Sequence, residues 1–181
     1  PILPSALSAA GYEAFAFVTN PQLHPDLGFA RGFDHFSGFF GELENPKKIV
    51  TQDLVKTPAE EVFARVEATI KNRGDAPFFA YIHLLDPHGP YTPPEDLRNQ
   101  FTNPDYTGKI EGTVEDFGIV RSSGKRFSPD LAHFKSLYDA EIVSTDRAIA
   151  GFVEWLAKES LLENTHLIIT ADHGEGFMEH G

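Results

Sequence analysis

The chain has 181 residues, 41% of them hydrophobic, enough for a globular fold with a substantial core and too many for a disordered or fibrous chain. Its formal net charge of -12 argues against wrapping nucleic acid or lying on an anionic membrane, so an anionic substrate would need a metal or local cations. There are no cysteines, hence no disulfide framework, and no apolar run reaches the ~20 residues that a membrane span requires.

The chain opens at Pro1 without an initiator methionine and carries Met178 as its single methionine, which reads as a piece of a longer protein. A leader upstream would leave no trace in it, so localisation stays open between cytoplasmic, periplasmic and secreted. Residues 5–11 read as the end of a short helix closed by Gly11, and 13–19 (EAFAFVT) as a strand broken by Asn20-Pro21. The following stretch, to about residue 56, mixes proline, glycine and phenylalanine without period, which predicts a long irregular excursion packed by its aromatic rings. His24 and His35 lie in it, and neither has an acidic cluster at ligand spacing.

Thr57-Pro58-Ala59-Glu60 predicts a helix start: threonine as cap, proline at the first helical position, glutamate three residues after the cap. Val62, Phe63, Val66 and Ile70 then form one apolar stripe, and Gly74 is the expected stop. Residues 77–85 (PFFAYIHLL) follow as an apolar strand, so helix-then-strand predicts a crossover unit and a parallel sheet. His83, within that strand, is expected to be a satisfied core or edge histidine. Directly after it comes Asp86-Pro87-His88-Gly89-Pro90-Tyr91, a polar cluster where an open α/β sheet collects ligands, favoured over a rigid turn built by Asp86 and His88 because two strands end in Asp/His sets.

Residues 95–127, within a longer 86–127 excursion, are polar and glycine-rich and predict a surface loop in which Arg121, Lys125 and Arg126 are solvated. Ser128-Pro129-Asp130 opens a long helix whose Leu131, Phe134, Tyr138, Ile142, Ile149, Phe152, Val153 and Leu156 keep the helical period. Thr145 and Asp146 interrupt that stripe, which predicts a polar contact inside the fold. Near the chain's end the β-branched run 167–170 reads as a buried strand, followed at once by Asp172-His173-Gly174, Glu175, Glu179 and His180. A carboxylate beside an imidazole, with glycines that let the backbone turn, suits a hard or borderline divalent cation; a capping turn with a solvated His173 is the bland alternative.

The stretch THLIITADHGEGFMEHG (165–181) resembles the sulfatase signature within the alkaline phosphatase superfamily, and HLLDPHGPYTPP (83–94), YDAEIVSTD (138–146) and the turn at 163–165 resemble further sulfatase segments in the right order. The resemblance implies an α/β fold with a mostly parallel sheet sandwiched between helices, of which residues 1–181 form one partial catalytic domain. It implies hydrolysis of a sulfate ester on a sulfated small molecule or glycan: a metal-bound formylglycine hydrate attacks sulfur and a histidine protonates the leaving group. Carried over by residue, Asp172 and His173 bind the metal, His88 contacts the sulfate or leaving oxygen, and His180 does likewise. Calcium is the first choice, with magnesium or manganese open to an imidazole ligand. The Cys/Ser-x-Pro-x-Arg segment that supplies formylglycine is expected upstream, so the polypeptide alone should turn over little. A phosphodiesterase, phosphonate hydrolase or phosphotransferase of the same superfamily is the alternative, often with a second metal that would recruit Asp86, His88 or His180 with residues outside the chain. A scaffold domain that has lost its nucleophile is another.

Overall fold

The computed structural model describes residues 2–41, 56–124 and 127–178. They form two compact units, Pro1–Leu85 and Asp86–Gly181.

The first unit is built on a three-stranded parallel sheet in the order β2-β1-β3. Helix α1 (Leu3–Ala9) ends at Gly11, whose φ of +89° is the left-handed turn that a side chain resists, and Tyr12 N–H closes back on Leu7 O at 3.0 Å. Strand β1 (Glu13–Val18) then runs through the centre, and every residue from Ala14 to Thr19 is buried, as expected for a strand flanked on both sides. Strand β2 (His35–Gly38) pairs beside it with Phe15 opposite His35. Strand β3 (Phe78–His83) pairs on the other side with Glu13 opposite Phe78 and Val18 opposite His83. The crossover is α2 (Ala59–Lys71), whose Val62, Phe63, Val66 and Ile70 are all buried, as their spacing predicts.

Two expectations for this unit are corrected. The segment after β1 is not wholly irregular: two 3-10 turns at Pro21–Leu23 and Pro25–Leu27 lead into β2, which is short and carries no period. Its strand character comes from the neighbour β1, since Ala14 N–H reaches Asp34 Oδ2 at 2.8 Å and Asp34 N–H reaches Ala14 O, also at 2.8 Å. Nor does Thr57 cap α2. Pro58 holds the cap position and the Thr57 hydroxyl donates to Phe39 O at 3.1 Å. The helix stops at Asn72, before Gly74, with the Asn72 amide donating to Ala68 O at 2.8 Å.

The second unit is helical. Helices α3 (Glu95–Phe101) and α4 (Val114–Ser122) occupy the stretch expected to be a surface loop. Both start with acidic residues in the first turn, and α4 carries a capping box between Thr113 and Asp116. They contribute Leu97 and Val120 to the buried set, with Ile110 between them. Arg121 is exposed at the end of α4, while Lys125 and Arg126 lie outside the described residues. Helix α5 (Pro129–Lys158) begins as its sequence predicts, with the Ser128 hydroxyl accepting from Leu131 N–H at 3.1 Å. Leu131, Phe134, Leu137, Phe152 and Leu156 are buried along it, but Ile142 is exposed.

The polar interruption on α5 sits elsewhere than expected. Thr145 bonds back to Glu141 O within its own helix, at 3.0 Å, and Asp146 is exposed. The buried polar residue one turn earlier is Glu141, which accepts Thr92 N–H at 2.6 Å. The larger correction concerns residues 167–170. They form no strand, and Ile168 and Ile169 are 84% and 65% exposed. A strand is made by a neighbour's hydrogen bonds rather than by its own β-branched residues, and among the described residues none pairs with this segment.

Candidate functional site

The residues singled out from sequence fall in the second unit, on two segments without regular structure: 86–91, just after β3 in the chain, and 171–177. In the first, Asp86-Pro87 forms a turn, and the Asp86-Pro87 and Gly89-Pro90 peptides are cis. His88 is exposed, with its Nδ1 2.7 Å from the carbonyl of Gly89. A carbonyl can only accept, so Nδ1 carries the proton and Nε2 is left to face solvent or a ligand.

His173 repeats this arrangement. Its Nδ1 lies 2.6 Å from the Gly174 carbonyl, so Nε2 is again the free nitrogen. That carbonyl contact, aided by the Asp172 carboxylate, raises the imidazole's pKa above its ordinary value. Asp172 accepts His173 N–H through Oδ1 at 3.0 Å and holds Oδ2 3.7 Å from His173 Nε2. The two side chains are 89% and 73% exposed, so both donors are accessible.

The two segments are tied together by Tyr91 and Glu175, neither of which sequence reasoning had assigned a role. The Tyr91 hydroxyl donates to Glu175 Oε2 at 3.0 Å, while Glu175 Oε1 accepts Gly176 N–H, also at 3.0 Å. Tyr91 is completely buried, its ring packed by Phe117, Phe134 and Tyr138 at centroid distances of 5.2, 4.9 and 5.3 Å. Burial first, then the Glu175 hydrogen bond, pushes its hydroxyl well above the usual phenol range, which keeps it a donor. Phe177 enters the same aromatic cluster against Tyr138 and Phe134, with Lys135 Nζ 5.2 Å from its ring centre. The backbone of the first segment is fixed in turn by Tyr91 N–H to Gly112 O at 2.7 Å and by Thr92 N–H to Glu141. Both motifs therefore hang from one buried aromatic core.

As a metal site the arrangement is partial. Asp172 and His173 offer one carboxylate and one imidazole with a free Nε2, a donor pair that fits a divalent cation, but such a cation takes at least four ligands. Among the described residues no three His, Asp or Glu side chains gather closely enough to hold one. Asp86 is half-buried in its turn. His180 and Glu179 lie outside the described residues. Three other histidines are committed elsewhere. His83 Nδ1 lies 3.2 Å from the Thr19 hydroxyl on an edge strand, as expected of it. His35 pairs with Glu13 at 3.0 Å, and His24 accepts Asp26 N–H at 3.1 Å. No helix among the described residues is long and apolar enough to cross a membrane.

Comparison with known proteins follows the same line. The family model described as Sulfatase matches residues 1–181. An endo-4-O-sulfatase of Bacteroides thetaiotaomicron is 26% identical over 173 residues, covering 88% of this chain and 31% of its own. Among solved structures, the phosphonate monoester hydrolase of Agrobacterium radiobacter superposes with a TM-score of 0.58 at 14% identity, over 90% of this chain and 45% of its own. A protein crystallised with its substrate D-glucosamine-2-N,6-O-disulfate superposes with a TM-score of 0.56 at 16% identity, over 89% and 47%. The chain thus spans about a third of the curated relative and under half of each solved structure.

Proposed function

The chain belongs to the sulfatase family, and on that premise we propose that the protein of which it is part is a metal-dependent sulfuric ester hydrolase acting on a sulfated small molecule or glycan. The observation that carries the reading is the pair of histidines, His88 and His173, each with Nδ1 held by the following glycine's carbonyl and Nε2 free, on segments joined by Tyr91 and Glu175. The substrate class is supported by the relative named as an endo-4-O-sulfatase and by the neighbour crystallised with a disulfated glucosamine. In this reading residues 1–181 form part of a single catalytic domain.

In its doubly protonated form, with Nδ1–H on the Gly89 carbonyl, His88 presents Nε2–H to a sulfuryl oxygen or to the leaving oxygen, donating a hydrogen bond or the proton that the departing alcohol needs. Asp172 and His173 hold two positions of a divalent metal's shell, through the carboxylate and Nε2. The Gly174 carbonyl fixes the His173 ring for that task. A bound cation, calcium first among the choices, would neutralise charge on the sulfuryl oxygens, and further ligands would come from beyond this chain. The formylglycine nucleophile is assigned upstream, His180 to a second contact on the sulfate, and Asp86 to holding its turn.

The test is a full-length protein assayed with an aryl sulfate, with and without chelator. Chelation should abolish sulfate release and His88→Ala should lower it by about two to four orders of magnitude. Full activity in the His88 variant would remove that residue from the mechanism. A phosphonate monoester hydrolase shares the fold, so an aryl phosphonate hydrolysed faster than the sulfate would move the reading to that chemistry.

A further inference from the structure

We infer that Tyr91 and Glu175 are a positioning pair for the reaction: their hydrogen bond sets where the His88 segment stands relative to Asp172 and His173. The inference rests on the sulfatase reading and adds to it two residues that touch neither substrate nor metal.

Four observations carry it. The bond joins residues 84 positions apart at 3.0 Å and links the two segments side chain to side chain. Each end is adjacent to a candidate site residue, Tyr91 three residues after His88 and Glu175 two after His173. The two ends differ in rigidity, and that difference gives the bond its task. Tyr91 is fixed by full burial, three aromatic neighbours and its own backbone bond to Gly112. Residues 171–176 are exposed and lie in no helix or strand, so their placement depends on Glu175 and on Phe177 beyond it. Finally, Glu175 uses both oxygens, one on Tyr91 and one on Gly176 N–H, which fixes the carboxylate's plane as well as its distance. A metal pair on an exposed segment gains precision only from such a support.

The experiment uses the full-length protein, an aryl sulfate as substrate and four variants. Tyr91→Phe keeps the ring and removes the hydroxyl, Glu175→Ala removes the acceptor, and Glu175→Gln keeps an acceptor oxygen. Phe134→Leu loosens the same aromatic core without touching the bond. Tyr91→Phe and Glu175→Ala should each lower kcat by about tenfold with KM changed less than about twofold, and the double variant should fall no further than either single one. Glu175→Gln should recover most of the loss. Phe134→Leu should lower the melting temperature but not kcat. Unchanged kcat in either single variant, additive losses in the double one, or a kcat loss in Phe134→Leu as large as in Tyr91→Phe would overturn the inference. Should the unmodified protein leave the aryl sulfate intact, the sulfatase reading fails first, and hydrogen exchange over residues 171–178 then decides. Faster exchange confined to that segment in Tyr91→Phe upholds the pair, and unchanged exchange overturns it.

Discussion

His88 and His173 are held by the same local device, an imidazole Nδ1 on the carbonyl of the glycine that follows, at 2.7 and 2.6 Å. Each points a free Nε2 outward, and the signal for this was in the sequence as a repeated His-Gly step. The partner that joins their segments was not legible: Tyr91 and Glu175 lie 84 residues apart, and neither has a spacing that marks the other. Replacing His173 by alanine in the full-length protein should abolish metal-dependent sulfate release while leaving the melting temperature within about 1 °C, because its exposed ring packs against no core. Asp116 offers a second prediction at this scale. Its Oδ2 accepts the amides of Glu111, Gly112 and Thr113, each at 2.9 Å. Burial opposes its charge, but these amides and the Thr113 hydroxyl hold its pKa below the ordinary 3.8. Since the folded-state value is the lower one, the stabilisation is complete above the unfolded value and is lost as pH falls through the folded one. Asp116→Asn should therefore weaken the protein by about 1–3 kcal/mol at pH 7, and the gap from the unmodified protein should close below about pH 4 in denaturant titrations.

At the scale of elements, periodicity told most where an element buries one face along its whole length. Helix α2 and most of α5 were legible for that reason, with Val62, Phe63, Val66 and Ile70 buried as the pattern requires, while strands β1 and β3 were legible as short apolar runs, buried from Ala14 to Val18 in β1 and mostly half-buried in β3. Strand β2 and helices α3 and α4 were not, because four to nine residues offer too few turns for a period to show. The run 167–170 failed in the opposite sense, with strand composition but no partner among the described residues. The contact between α5 and the Thr92 amide was hidden because a glutamate inside a helix reads as solvated. Glu141 is nonetheless 4% exposed and accepts that amide at 2.6 Å. Glu141→Leu leaves the amide without its acceptor and should lower stability by about 1–3 kcal/mol in denaturant titrations. Gly112→Ala should destabilise similarly, since a φ of +94° resists a side chain and its Cβ would meet the Tyr91 carbonyl.

For the whole molecule, the charge of -12 means that an anionic substrate, on the proposed reading, would have to be met by local positive charge, which a cation held by Asp172 and His173 would supply beside His88. Exposed Leu167, Ile168 and Ile169 form an apolar run that is unpaired among the described residues, the kind of surface that recruits another strand. The 1–181 polypeptide studied by itself should accordingly self-associate at micromolar concentration, and Ile168→Lys should reduce this; a concentration-independent monomer in sedimentation velocity would count against it. The sulfatase reading as a whole is tested most directly by presenting the full-length protein with matched aryl sulfate and aryl phosphonate esters, in the presence of calcium and after chelation. The account predicts sulfate release that exceeds phosphonate release, disappears on chelation and is absent from the His173→Ala variant. Faster phosphonate hydrolysis, or sulfate release indifferent to chelator and to His173, would contradict it.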